Sequence, residues 1–106
     1  MIVTTANDVT GWRITAYLGV VRGLVVRTPG IGNALVGAFK SIGGGNISEY
    51  VHVCDTARQQ AYDLMVSHAE AIQADAVIAM RYDATEFMQG ATEVLAYGTA
   101  VKLAPC

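Results

Sequence analysis

The longest regular pattern of apolar and polar positions in the chain runs from Asn46 to Ile72. Tyr50, Val53, Ala57, Ala61, Leu64, Met65, His68 and Ile72 recur at spacings of three and four, while Asp55, Arg58, Gln59, Asp63, Ser67 and Glu70 fall on the opposite side. This predicts an amphipathic helix of several turns, with the first set buried and the second solvated. Asn46, with Glu49 three residues later, supplies a capping pair for its start. Upstream, Ile31, Leu35, Ala38, Phe39 and Ile42 keep helical spacing behind Thr28-Pro29, which reads as an N-cap and a first-turn proline. A short first helix is expected there. Gly30, Gly32 and Gly37 each weaken it by about 1 kcal/mol relative to alanine, so it depends on packing, and Gly43-Gly44-Gly45 ends it.

The remaining segments are strand-like. Ile14 to Arg27 is rich in β-branched and aromatic residues and too interrupted by glycine for a helix, which predicts a long strand bent at Gly19 or Gly23. Ala76 to Asp83 and Glu93 to Leu103 read as an antiparallel hairpin around a Met88-Gln89-Gly90 loop, and Ile2 to Thr5 as a short edge strand. The expected fold is one α+β domain over residues 1–106, an antiparallel sheet with two helices packed on one face. Val94, Ala96, Gly98 and Ala100 give the last strand a small-residue face suited to a closely packed helix. Leu95, Tyr97, Thr99 and Val101 occupy the other face, which is substantially apolar as well. With no third helical layer to cover it, a neighbouring subunit's sheet, in a ring or barrel, is the economical cover.

Composition strengthens that expectation. Of 106 residues, 53% are hydrophobic and only 15% charged, against about 25% in a typical domain. Little charge is available to clothe a small monomer, so a homo-oligomer is predicted. The net charge of −2 and seven scattered Lys and Arg residues provide no footprint for nucleic acid. No basic leader and no apolar run of about 20 residues is present, so a cytoplasmic protein without membrane contact is expected. Cys54 and Cys106 are then expected to be reduced thiols.

A resemblance sharpens this reading. Gln73-Ala74-Asp75-Ala76-Val77-Ile78-Ala79-Met80-Arg81-Tyr82-Asp83, followed by Thr92-Glu93-Val94-Leu95-Ala96-Tyr97-Gly98-Thr99-Ala100-Val101, resembles the C-terminal signature of the YbjQ-like family. Tyr17-Leu18-Gly19-Val20-Val21-Arg22-Gly23 and the Gly44-Gly45 to Tyr50 helix entry resemble its earlier elements in the same order. Two departures stand out: Val51 replaces a small polar residue, and Ala79-Met80 stands where Gly-Val is more usual. The resemblance implies a bacterial subunit with a dodecin-subunit-like fold, assembling into homo-oligomeric, pentameric rings. It also implies a link to heavy-metal binding, without identifying ligands.

Candidate chemistry is sparse. The soft or borderline donors are His52, Cys54, His68 and Cys106, with carboxylates at Asp55, Asp75, Asp83 and Glu93. His52 and Cys54 are two residues apart, about 200° around a helix, so they do not share a site within one chain. Cys54, Cys106 and His52 remain candidate ligands for a transition-metal ion at subunit junctions. His68, on the apolar stripe, reads as a histidine hydrogen-bonded within the core. Arg81 and Asp83 alternate onto one face of their strand, with Glu93 and Tyr97 across the hairpin and Arg22 from the long strand. That cluster reads as an ion-pair network fixing subunit register, with a pocket for a small ligand or ion as the sharper alternative. The glycine run lacks the Lys-Ser/Thr of a P-loop, and no catalytic motif can be read. Three functions follow: an oligomeric binding or scaffold protein; a heavy-metal binder with ligands at subunit junctions; and an enzyme with an intersubunit site around Arg81, Asp83 and Glu93.

Overall fold

The computed structural model describes the backbone of residues 1–27, 47–88 and 91–106. Four strands, β1 (Ile2–Val3), β2 (Trp12–Arg27), β3 (Ala76–Met88) and β4 (Ala91–Pro105), form one sheet in the order β1-β3-β4-β2, with helix α1 (Ile47–Ala71) between β2 and β3 in sequence. The α+β class is as expected. The sheet is mixed and not wholly antiparallel: β2 and β3 each run antiparallel to β4, but β1 pairs parallel with β3. The exception is the two-residue β1 on the outer edge of β3, which runs in the same direction as both β2 and β3. Of the two expected helices, one is present among the described residues. The first, over Ile31 to Ile42, and the Asn46 cap lie outside them, as do Gln89 and Gly90 of the hairpin loop.

Helix α1 packs on the face predicted for it. Val94, Ala96 and Ala100 of β4, Val21 of β2, and Val77 and Met80 of β3 form its floor. Among the described side chains the buried stripe of the helix is narrower than its hydrophobic pattern suggests, being Ala57, Ala61, Met65 and Ala69 at a spacing of four; those of Tyr50 and Val53 lie outside the described residues. Leu64 and Ile72, expected in the core, are exposed. Small residues explain the difference. At Gly23 of β2 an added Cβ would collide with the Ala61 carbonyl and lie 2.5 Å from the Met65 nitrogen and 2.8 Å from Leu64 Cβ. The helix backbone therefore rests on the strand backbone, and side chains flanking this contact line are pushed outward. Met65 fills the largest buried volume beside it.

Two of the register shifts in the sheet coincide with left-handed backbone, at Gly19 and at Ala79. Gly19 sits at a register shift in β2 with φ of 109°, which makes it the bend; Gly23 is the helix contact instead. In β3, a bulge between Ile78 and Arg81 sets Ala79 at φ of 52°, a left-handed conformation that costs a residue with a Cβ about 1 kcal/mol. Glycine has no such cost. The bulge turns two successive N–H groups outward, Ala79 donating to the Ala6 carbonyl at 2.8 Å and Met80 to the Thr4 carbonyl at 3.0 Å. Residues 4–6 thereby become a clasp along the β3 edge. Arg81 Nη1 completes it with bonds to the Thr5 carbonyl at 3.0 Å and the Met80 carbonyl at 2.8 Å.

The α1 to β3 corner accounts for the Gln73 and Asp75 part of the family signature. Ala74 N–H donates to the Ala69 carbonyl and Gln73 N–H to the Glu70 carbonyl, both at 3.0 Å, closing the helix with Gln73 at φ of 62°. Asp75 accepts the Leu103 N–H at 2.8 Å and lies 3.6 Å from Lys102 Nζ, which also donates to the Gln73 carbonyl at 2.8 Å. These polar residues hold the corner to β4.

Two substitutions test these contacts. Gly23→Ala should lower unfolding free energy by about 2–3 kcal/mol, since backbone and not a flexible side-chain tip must give way. Ala79→Gly should raise it by up to about 1 kcal/mol through relief of the left-handed conformation. Urea denaturation of each variant beside the parent checks both signs.

Candidate functional site

The second face of the sheet is the candidate site. Cross-strand register sets its residues in rows: Arg22, Tyr97 and Arg81; then Leu24, Leu95 and Asp83; then Val26, Glu93 and Thr85. The five polar residues singled out from sequence, Arg22, Arg81, Asp83, Glu93 and Tyr97, thus share one face, because residues paired across strands point the same way. Tyr97 stands between the two arginines. The cluster forms no ion-pair network within one subunit: among the described residues the ion pair is Lys102 with Asp75. Arg81 is spent on backbone carbonyls, and Asp83 Oδ1 accepts the N–H of Ala84 at 3.0 Å.

One end of this face is covered and the other is not. Ala76, Ile78 and Val101 are buried beneath Val9 of the N-terminal segment, with Ile14 and Leu103 beside them. Beyond that cluster, Tyr17 is 71% exposed, Val20 68%, Leu24 47% and Val26 43%. These positions frame the polar rows with apolar side chains open to solvent.

His68 is placed differently from expectation. It is solvent-exposed, not in the core, and its Nδ1 accepts the backbone N–H of Arg22 at 3.2 Å. The close approach at Gly23 carries the last turns of α1 over the outer edge of β2, where that N–H has no strand neighbour. Nothing in a helical periodicity distinguishes a histidine aimed at a strand edge from one aimed at the core. Next to it, α1 and β2 enclose a groove of about 350 Å³ lined by Val25, Gln60, Asp63, Leu64 and Ser67. On the far side of the helix, the Arg58 guanidinium lies 5.4 Å from the centre of the Tyr82 ring. Burial, reinforced by Tyr62, Asp55 and Asp63 and opposed by Arg58, pushes the Tyr82 phenol above its ordinary 10.0. The folded protein therefore holds that proton longer than the unfolded chain, and stability declines as pH rises past 10.

The metal-ligand candidates are not brought together. Cys54 is a free, exposed thiol within α1. Cys106, also free and exposed, follows the end of β4, its N–H reaching the Gly11 carbonyl at 3.4 Å. The side chain of His52 lies outside the described residues. Among the described residues no three of His, Cys, Asp and Glu converge on a point where a metal ion could sit. The described donors therefore do not form a metal site within one subunit. Asp75, a further candidate, is occupied by the corner.

These features define the class: an α+β protein with a mixed four-stranded sheet, one face layered by a long helix and the other partly open. The chain belongs to the YbjQ-like family, whose model, described as "Putative heavy-metal-binding", matches residues 1–104. Relatives are similar over almost the full length. A UPF0145 protein of Chromobacterium violaceum is 54% identical over 98% of this chain and 89% of its own. One from Solibacter usitatus is 52% identical over 97% and 92%, and one from Legionella pneumophila 52% over 95% and 96%. A crystal structure of a protein of unknown function from Pediococcus pentosaceus, assigned to the DUF74 family, superimposes with a TM-score of 0.63 over 98% of both chains. At 18% identity that likeness establishes the fold. No helix among the described residues is long and apolar enough to cross a membrane.

Proposed function

We propose that this protein is a cytoplasmic, ring-forming binding or scaffold protein, built from copies of one subunit whose open sheet faces and clefts become its working surface. The observation that carries this reading is the uncovered apolar end of the sheet, Tyr17, Val20, Leu24 and Val26 around the Arg22, Tyr97 and Arg81 row. The family resemblance favours five copies.

A second reading, heavy-metal binding, draws on the family description and on two free, exposed thiols. Since the described residues of one chain assemble no ligand set, it calls for Cys54, Cys106 or His52 from different copies to meet. An enzyme with an intersubunit site around Arg81, Asp83 and Glu93 has no observation in its favour beyond their shared face.

Native mass spectrometry before and after chelation separates these readings. A closed oligomer without adducts is expected on the first. A stoichiometric metal mass lost on chelation, and absent from Cys54→Ser or Cys106→Ser, would put the second in its place. A monomer in sedimentation at micromolar concentration would end the ring proposal.

A further inference from the structure

The two edges of the sheet are unequal in a way that suggests how they meet. Arg22 directs its N–H out of the sheet, so Val20, Leu24 and Val26, at even spacing from it, direct their backbone groups outward too. Among the described residues, His68 is the one partner along that stretch. On the opposite edge, residues 4–6 clasp β3 as far as Met80. Beyond the clasp, Tyr82, Ala84 and Glu86 continue the outward direction set by Met80, while Arg81, Asp83 and Thr85 turn inward to β4. Each edge thus presents a run of outward backbone groups that no strand of its own subunit pairs, capped by side chains at two N–H groups, Arg22 by His68 and Ala84 by Asp83, the arrangement that adds a strand.

We propose, resting on the oligomeric reading above, that the outer edge of β2 pairs in parallel with the free half of β3, Arg81–Met88, from a second copy, setting Arg22 against Asp83. Direction comes from topology. Both strands are antiparallel to β4 and so parallel to each other, and a joint repeated in one sense around a ring keeps that relation. Register comes from hydrogen bonding. In a parallel pair an outward residue bonds to the two neighbours of the residue it faces. Arg22 facing Asp83 would therefore give its N–H to the Tyr82 carbonyl and accept the Ala84 N–H.

The side chains agree with this register. Val20 faces Arg81, Leu24 faces Thr85, and Val26 faces Phe87, an otherwise 53% exposed aromatic. Arg22 has no ion-pair partner among the described residues of its own chain, and Asp83 has none either. On the helix side, Ala84 of the incoming strand comes beside Gly23, at the mouth of the groove lined by Val25, Leu64 and Ser67. Charge argues against the alternative of two β2 edges meeting about a twofold axis. β2 carries Arg13, Arg22 and Arg27 and no acid, whereas the free half of β3 carries Asp83 and Glu86 against Arg81. In the joint, Asp83 Oδ1 exchanges the Ala84 N–H for the Arg22 side chain, and His68 must release Arg22, which makes it a guard on the edge of the unassembled subunit.

Analytical ultracentrifugation of four variants tests this, with circular dichroism and urea melts showing that each subunit is folded. Arg22→Asp and Asp83→Arg should each weaken association at least about tenfold, and the double variant should restore it. His68→Ala should tighten association about fivefold, as one competing hydrogen bond is removed. Single variants that assemble like the parent, a double variant that fails to recover, or weaker association of His68→Ala would each overturn the joint while leaving the oligomer standing. A parent protein that is itself monomeric would instead overturn the reading on which the joint rests.

Discussion

The backbone contact at Gly23 is the constraint on which the subunit depends. Where a strand and a helix touch main chain to main chain, their separation is set by atoms that cannot rotate away, and every other contact adjusts to that distance. The alanine ladder Ala57, Ala61 and Ala69 is a consequence, since larger residues would lift the helix from Val21, Ala96 and Ala100. The outward turn of Leu64 and Ile72, the groove beside β2 and the reach of His68 to a strand edge follow from the same close seating. A helix held by alanines gains little hydrophobic area per residue. Met65 and the flanking Tyr62 and Val66 supply the bulk that the ladder omits.

Much of this architecture was legible in the sequence because two periodicities are clean. Alternation along β4 separated Val94, Ala96, Gly98 and Ala100 from Leu95, Tyr97 and Thr99, and the same alternation carried Arg22, Arg81, Asp83, Glu93 and Tyr97 onto one face. The hidden parts are those that periodicity cannot encode. Parallel docking of β1 on β3 depends on where a two-residue strand travels in space. The bulge at Ala79 is masked because alanine does not advertise a left-handed conformation as glycine would. The buried stripe of α1 is hidden because hydrophobicity ranks Leu64 above Ala69, whereas the seating on Gly23 selects for smallness. His68 shares the helical spacing of the stripe, and periodicity alone does not separate a strand edge from the core.

The candidate site shows why function is harder to read than fold. Its polar residues come from three strands, and its apolar frame from the strand least covered by the subunit itself. A single chain specifies which residues share the face but leaves its ionic and hydrogen-bonding capacity only partly used. The family label points to metal, yet the two thiols stand on separate elements, one within α1 and one beyond β4. Among the described residues no three such donors meet at one point within a subunit, so the site reading turns on what copies of the chain bring together.

The sheet order also sets a timetable for synthesis. β2 leaves the ribosome early, but its strand partner β4 begins only at Ala91, and β1 waits for β3 at Ala76. At about 5–20 residues per second, a 16-residue strand carrying Tyr17, Leu18, Val20, Leu24 and Val26 stays without its sheet for roughly 3–13 s. Its neighbours on a crowded polysome carry the same unpaired strand. Before assembly ever becomes useful to the finished protein, the hazard is premature contact between nascent chains, and the three arginines along β2 repel such strands from one another during that interval.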